Sequence, residues 1–261
     1  MLDLNKLCVD VQEIAREAGV FLKNERKKFD RMQVEEKSAH NYVSYVDKAS
    51  ERWLVDRLSA LLPEAGFITE EGTGSLDNEY YCWLVDPLDG TSNYIHDTAP
   101  YCVSIALRTK DEFLLGVVYE VCRDECFYTV KGGKAYLNGE EIHVSFISDI
   151  DKSFIALGFP YDSEKYRPTA LHLVDCLYGT AGGSRLLGAA AVELCYVAAG
   201  RFEARIEAYL GPWDVAAGGF ILQQAGGKLS DFSGGEEWVS AREVLATNGV
   251  IHDEMLRILQ K

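Results

Sequence analysis

Three short acidic segments of this chain have the residue types and spacing to work on a bound cation. The first is Asp86-Pro87-Leu88-Asp89-Gly90-Thr91, which directly follows the apolar run Cys82-Trp83-Leu84-Val85. Such a run reads as a buried strand, so its carboxylates stand at the strand's C-terminal end, where sheets of this kind commonly bind ligands. Pro87 stiffens the turn, and Gly90 permits a backbone conformation that a side chain hinders. Two carboxylates three residues apart on a stiff turn can converge on one or two hard cations, and oxygen-only ligation favours Mg²⁺ or Mn²⁺. If Gly90 and Thr91 open a helical turn, their free N–H groups can hold a phosphate. Taken alone, the same residues also fit an Asp-rich turn with capping side chains.

The second segment is Glu70-Glu71, after the short apolar stretch Phe67-Ile68-Thr69. Adjacent like charges cost energy unless they are solvated or bound to a cation. An exposed loop satisfies that condition as well as a metal does. The third is Pro212-Trp213-Asp214. Pro212 marks a helix start and places Asp214 in the first turn, at the positive end of the dipole. A first-turn Asp needs no further task, and Trp213 reads as core.

The elements that must position these groups follow from hydrophobic spacing. Leu4, Leu7, Val11, Ile14, Ala15, Ala18, Phe21 and Leu22 share one face of a first helix, with Lys23, Arg26, Lys27 and Lys28 at its C-terminal end. A second helix is expected from about Asp47 to Leu62, with Trp53, Leu54, Leu58, Leu61 and Leu62 apolar and Pro63 as its stop. A short strand is expected at 66–69. The runs 103–107, 114–121 and 126–130 read as a meander, and Asn138-Gly139 as a two-residue turn. Beyond residue 147 strands and helices alternate: strands near 153–157, 202–206 and 245–246, and helices near 169–177, 186–199, from Trp213 and at the end. This predicts layered α/β or α+β packing. It also predicts a border at 147, between an N-terminal α+β half (1–147) carrying the metal motifs and a C-terminal α/β half (148–261) completing the site.

Composition narrows the function. The 261 residues carry a formal net charge of −15, which disfavours binding to nucleic acid because phosphate contacts need Lys and Arg. Seven cysteines, at positions 8, 82, 102, 122, 126, 176 and 195, form no disulfide or zinc pattern; reduced, mostly buried thiols in a cytoplasmic protein are expected. No apolar run approaches 18 residues and the first residues do not form a secretory signal, so no membrane association is expected.

Together the segments resemble the inositol monophosphatase family. The match lies in Asp86-Pro-Leu-Asp-Gly-Thr-Ser-Asn-Tyr94, Glu70-Glu71 and Trp213-Asp214 with Ala-Ala-Gly. It extends to Lys37, the stretch from Asn41 to Asp47, Gly188-Ala-Ala-Ala, and Glu207 seven residues before Asp214. The resemblance runs from about residue 5 to residue 258. It implies a layered α/β/α/β/α sandwich, usually a homodimer, and a Li⁺-sensitive phosphatase with two or three Mg²⁺ per site. By position, Glu70, Asp86, the Leu88 carbonyl and Asp89 would bind the first metals, and Asp214 would join Asp86 and Asp89 at a second. Thr91, paired with Asp47, would orient the attacking water, with Glu70 beside them as a catalytic group. Gly90 and Thr91 N–H groups would hold phosphate oxygens. Gly188, Ala189, Ala190, Glu207 and Asp214 would face the substrate, and Lys37 and Glu71 are further candidates. Ser44 stands where the family commonly has Thr, and Ala189 where some members have Thr.

Ser92-Asn93 after the Thr looks like the branch that hydrolyses inositol 1- or 4-monophosphate. Fructose-1,6-bisphosphatase, 3′-phosphoadenosine 5′-phosphate phosphatase and histidinol phosphatase remain as alternatives. A metal- or phosphate-binding regulator on the same scaffold is the non-enzyme alternative. It would have little need of the intact set Glu70, Asp86, Asp89, Thr91 and Asp214.

Overall fold

The computed structural model describes residues 2–30, 34–38, 41–74, 78, 80–160 and 163–260, without the side chains of 37, 38, 41 and 163. Its elements in chain order are α1 (Leu4–Arg26), β1 (Val34–Ser38), β2 (Asn41–Ser44), α2 (Tyr45–Leu61), β3 (Gly66–Thr69), β4 (Cys82–Asp89), α3 (Thr91–His96), β5 (Cys102–Arg108), β6 (Phe113–Glu120), β7 (Glu125–Val130), β8 (Tyr136–Leu137), β9 (Glu140–Glu141), β10 (Phe154–Leu157), α4 (Ser163–Leu177), β11 (Gly183–Arg185), α5 (Ala190–Ala198), β12 (Ala204–Ala208), α6 (Pro212–Gln224), β13 (Lys228–Ser230), β14 (Glu243–Thr247) and α7 (His252–Leu259).

They stack in five layers. A seven-stranded sheet, ordered β3-β4-β5-β6-β7-β8-β9, carries α1 and α2 on one face and α5 and α6 on the other. A five-stranded sheet, β11-β10-β12-β14-β13, packs against the far side of α5 and α6, and α7, with α4 beside it, packs on the outside of that sheet. The result is the expected α/β/α/β/α sandwich.

Each interface has its own apolar core. Leu7, Val11, Leu54 and Leu58 meet Trp83, Val85, Ile105 and Val117 on the outer face of the large sheet. Leu84, Cys102, Ala106 and Val118 point the other way, to Leu194, Val215 and Ile221 in the helical middle layer. Period-two alternation sends one set to each side. The third core joins Ile155, Ile206 and Leu245 to Leu173, Leu177 and Met255. The middle layer comes close to the large sheet because small residues face it. A Cβ at Gly116 would lie 3.0 Å from the Ala217 carbonyl oxygen.

The large sheet uses residues 66–141 and the small one 154–247. The border at 147 falls between them and stays a proposal, because the core around α5 and α6 takes side chains from both stretches.

Several elements differ from expectation. The hairpin β1–β2 and the three-residue strands β11 and β13 carry no pattern long enough to read. The helix expected from 186 starts at Ala190, because a loop that follows β11, with Gly188 at φ +77°, occupies its first residues. Helix α4 starts at Ser163 and keeps Pro168 inside it, where a start at 169 was expected. Five of the seven cysteines are buried as expected; Cys122 is exposed and Cys176 partly so, and all are free thiols. Among the described residues no helix is long and apolar enough to cross a membrane.

Candidate active site

The segment expected to be a turn after a strand is the strand's own end. Residues 86–89 belong to β4, whose register against β5 steps from Asp86↔Ser104 to Asp89↔Cys102. Three steps on β4 match two on β5, so one extra residue is accommodated as a bulge. In a regular strand positions 86 and 89 face opposite sides of the sheet. The extra residue turns both carboxylates to the face that carries α5 and α6. Pro87, with no N–H to give to a ladder, sits where the ladder is interrupted.

Three further elements end at the same place. Strand β3 runs parallel to β4, so Glu70, just past its end, arrives beside Val85, to whose carbonyl its N–H donates at 3.3 Å. Helix α6 starts at Pro212 and puts Asp214 in its first turn, where Oδ2 accepts the Gly211 N–H at 2.6 Å. Helix α5 has no side-chain cap of its own at Ala189. Asp89 supplies it from a hundred residues away: Oδ1 accepts from Ala190 N at 3.0 Å and Oδ2 from Ala191 N at 2.8 Å. Exposed first-turn N–H groups of a helix favour a negative charge in this position.

Glu70, Asp86, Asp89 and Asp214 line one cavity of about 420 Å³, together with Leu88, Gly90, Thr91, Gly188, Ala190 and Glu207. Tyr42, Phe159, Leu186, Tyr209, Trp213 and Arg242 are among the other residues of its walls. Asp47 stands behind Thr91. It is fully buried, its Oδ2 accepts from Ser44 N at 2.9 Å and Ser44 Oγ at 2.6 Å, and its Oδ1 accepts from Thr91 Oγ1 at 3.0 Å. Thr91 Oγ1 also lies 3.0 Å from the Leu88 carbonyl oxygen. Gly90 has φ +88°, and a Cβ there would come within 2.9 Å of the Pro100 carbonyl, so only glycine allows α3 to begin at this point.

The electrostatics are those of a site short of positive charge. Burial, then repulsion from Glu70, Asp89 and Asp214, holds the Asp86 carboxyl well above the usual range. Burial, then repulsion from Glu70 and Asp89, does the same to Asp214. Burial pushes Asp89 up to about 6, although the Ala191 and Ala190 N–H groups and Arg205 pull it down. Burial raises Asp47 too, against its hydrogen bonds from Ser44 and Thr91.

Among the described residues no three such side chains already stand as a ligating group. Asp86, Asp89 and Asp214 are each turned to a backbone N–H instead. The donors nonetheless fit a hard divalent ion. All are oxygens, they face one cavity, and the raised carboxyls are the groups whose mutual repulsion a cation would offset.

Other expected residues are placed as follows. Ala189 is buried and caps α5 without lining the cavity, and Glu71 lies beside the cavity with its N–H 2.7 Å from Glu51 Oε2. The side chain of Lys37 lies outside the described residues. Three supporting residues, Ser50, Glu51 and Ser104, went unread in the sequence, and Asn93 was read there only as a mark of the branch. Buried Glu51 holds the 71–73 turn through the Glu71 and Thr73 N–H groups, and Ser50 Oγ donates to the Pro87 carbonyl. Ser104 Oγ donates to the Trp213 carbonyl, and Asn93 Nδ2 donates to the Pro100 and Leu187 carbonyls, each at 2.7 Å.

Fold and cavity together define a class of layered proteins whose site lies between two sheets, at strand and helix ends that carry carboxylates. The chain belongs to the inositol monophosphatase family, whose model matches residues 4–261. It is 36% identical over 244 residues to the Nus factor SuhB of Escherichia coli strain K12, covering 93% of this chain and 91% of that protein. Among solved structures it is similar to the extragenic suppressor protein suhB of Bartonella henselae, with a TM-score of 0.93 and 31% identity over 98% of this chain and 99% of that one. It is also similar to the inositol monophosphatase of Anabaena sp. PCC 7120, with a TM-score of 0.87 and 33% identity over 99% and 97% of the two chains.

Proposed function

We propose that this chain is a Mg²⁺-dependent phosphomonoesterase for a small polyol phosphate, with myo-inositol 1- or 4-monophosphate as the leading substrate. The observation that carries this reading is the setting of one hydroxyl. Thr91 Oγ1 lies between Asp47 Oδ1 and the Leu88 carbonyl, at the edge of a floor of four carboxylates. A threonine hydroxyl has one proton, and a carboxylate and a carbonyl only accept. Its lone pairs are therefore left to accept from a third group on the cavity side. A water that donates to Thr91 is oriented there, and Asp47, whose carboxyl burial raises, backs the hydroxyl as a proton acceptor.

Glu70, Asp86, Asp89, Asp214 and the Leu88 carbonyl would hold two or three Mg²⁺, with Mn²⁺ as a substitute. When bound, such ions acidify water and offset charge on phosphate and leaving alkoxide. The N–H groups of Gly90 and Thr91 would hold phosphate oxygens. Gly188, Ala190 and Glu207 would face the alcohol. The reading includes a cytoplasmic homodimer, which light scattering and fractionation check.

Phosphate release by the purified protein is the test. The panel is myo-inositol 1-phosphate, fructose 1,6-bisphosphate, 3′-phosphoadenosine 5′-phosphate and histidinol phosphate, in Mg²⁺ and in EDTA, with Asp89→Asn as control. Preference for the inositol ester supports both site and substrate. Preference for another ester replaces the substrate and keeps the site. The Escherichia coli relative bears the name of a Nus factor, and metal binding without turnover of any ester would favour a binding role.

A further inference from the structure

Behind the wall that carries it, Glu207 joins a buried ion cluster whose other members, Arg205 and Glu193, have none of the roles above. Arg205 and Glu207 are two residues apart on β12, so their side chains leave the same face of the strand. Glu193 reaches them from α5. Arg205 is fully buried; its Nε donates to Glu193 Oε2 at 3.2 Å and its Nη2 to Glu207 Oε2. Its Nη1 has no hydrogen-bond partner among the described residues. Desolvating three charges and leaving one donor unmet opposes folding, and apolar side chains of similar size commonly serve stability as well. Stability alone gives this cluster no reason.

Its placement does. Glu193 Oε1 also accepts the Leu187 N–H at 3.0 Å, so the cluster ties down the 186–188 loop on one wall of the cavity while Arg205 holds Glu207 on another. A second feature acts on Glu207 from the other side. A Cβ on Gly158 would overlap the Glu207 carboxyl carbon and both its oxygens. The backbone there has little room to withdraw, because the Gly158 N–H is bonded to the Ile206 carbonyl at 2.9 Å, continuing the β10–β12 pairing. The missing side chain at 158 is therefore a recess into which the carboxylate is pressed. The Glu207 side chain stays 18% exposed, towards the cavity it lines.

We propose that Arg205 and Gly158 are positioning residues that clamp the Glu207 carboxylate in one orientation, as an acceptor for hydroxyl groups of a polyol substrate. The proposal rests on the phosphomonoesterase reading for its substrate and on the clamp's geometry for its mechanism. With Oε2 held by Arg205, Oε1 is the oxygen left for the ligand. A carboxylate only accepts, so this wall favours an alcohol that carries further hydroxyls over one that carries none. The clamp touches the carboxylate floor only through Glu193 and α5, and the Arg205 charge that draws Asp89 down acts on both esters alike, so a difference between alcohols reads the clamp.

The test compares the wild type with Gly158→Ala, Arg205→Met and Arg205→Lys on two esters in Mg²⁺. One is myo-inositol 1-phosphate, and the other is p-nitrophenyl phosphate, whose leaving group has no further hydroxyl. Gly158→Ala and Arg205→Met are expected to lower kcat/KM for the inositol ester about tenfold more than for the aryl ester, mainly through KM. Arg205→Lys is expected to recover part of that difference. In a crystal structure of metal-free Gly158→Ala, the Glu207 carboxylate is expected to be turned away from position 158. Equal losses on both esters, no loss on either, or an unmoved Glu207 would overturn the proposal. If Arg205→Met does not fold, Gly158→Ala decides. If the wild type hydrolyses neither these two esters nor any of the panel above, the phosphatase reading fails, and the clamp is decided by the position of Glu207 in the Gly158→Ala structure.

Discussion

The floor and the mouth of the cavity are built in different ways. On the floor, Asp86 and Asp89 are nearly fully buried, with Asp47 fully buried behind Thr91, each held by hydrogen bonds from backbone or neighbouring side chains. At the mouth, Phe159 is 51% and Leu186 53% exposed. There the backbone runs through left-handed residues, Gly188, Tyr209 and Arg242, at φ +77°, +69° and +61°. The Arg242 guanidinium stacks 4.3 Å from the Tyr209 ring and donates to the Tyr209 and Leu210 carbonyls. The floor is made of regular elements that end together, and the mouth is made of the loops that join them. Chemistry needs positions fixed to fractions of an ångström, which packed elements supply. On the proposed reading the alcohol meets Glu207 on β12 and these loops, where a changed side chain disturbs little else.

The comparison predicts unequal responses to mutation. Asp89→Asn should lower kcat on the order of a thousandfold, as loss of a charge held for the transition state does. Asp86→Asn, whose amide oxygen can still accept the Leu88 N–H, should cost as much activity and raise the melting temperature of the metal-free protein, because it removes a carboxyl that burial and the neighbouring carboxylates disfavour. Lost activity with an unchanged or lower melting temperature would break the account of the floor. Thr91→Val keeps the shape and removes the hydroxyl; kcat should fall about a hundredfold with KM little altered. A loss confined to KM would place Thr91 in binding alone.

The acidic floor sets a pH dependence whose sign can be worked out. The folded carboxyl of Asp89 titrates near 6, above its ordinary 3.8. As pH rises from about 4 to 6 the unfolded chain loses this proton before the folded one, so stability falls across that window. The loss is on the order of 3 kcal/mol from this group. Asp86 and Asp214, shifted in the same direction, add to it. Thermal unfolding in EDTA should show the decline, and Mg²⁺ should raise the melting temperature more at pH 7 than at pH 5. A flat profile would mean that the floor carries less buried charge than its geometry implies. The smallest effect belongs to the mouth. Leu186→Ala should change kcat/KM less than tenfold, differently for different alcohols, with stability within about 0.5 kcal/mol.

What could be read in advance follows the same division. The strand at 66–69 and the helix start at Pro212 were legible because neighbours in sequence set them: an apolar run, a proline and a first-turn Asp. Asn138 and Gly139, at φ +49° and +93°, form the expected turn between β8 and β9. The carboxylates were legible by type and place along the chain. Their company was not. Nothing near Asp89 shows that it caps a helix a hundred residues on, and nothing near Glu51 shows that it holds a turn twenty residues on. Arg205 and Glu193 read as ordinary charges until the strand and helix bring them together inside the molecule. Those partnerships are set by tertiary contact and leave no spacing for a sequence pattern to reveal.

The bulge in β4 has a consequence for how this segment tolerates change. Substitutions between 86 and 89 act in degrees, through lost charge or packing. A deletion or insertion of one residue acts through parity: it removes or doubles the irregularity and carries Asp89 to the opposite face of the sheet, among the side chains of α1 and α2. The length of the segment is therefore under a sharper constraint than any residue in it. Variants that alter that length should lose the whole site at once, even where every carboxylate is retained.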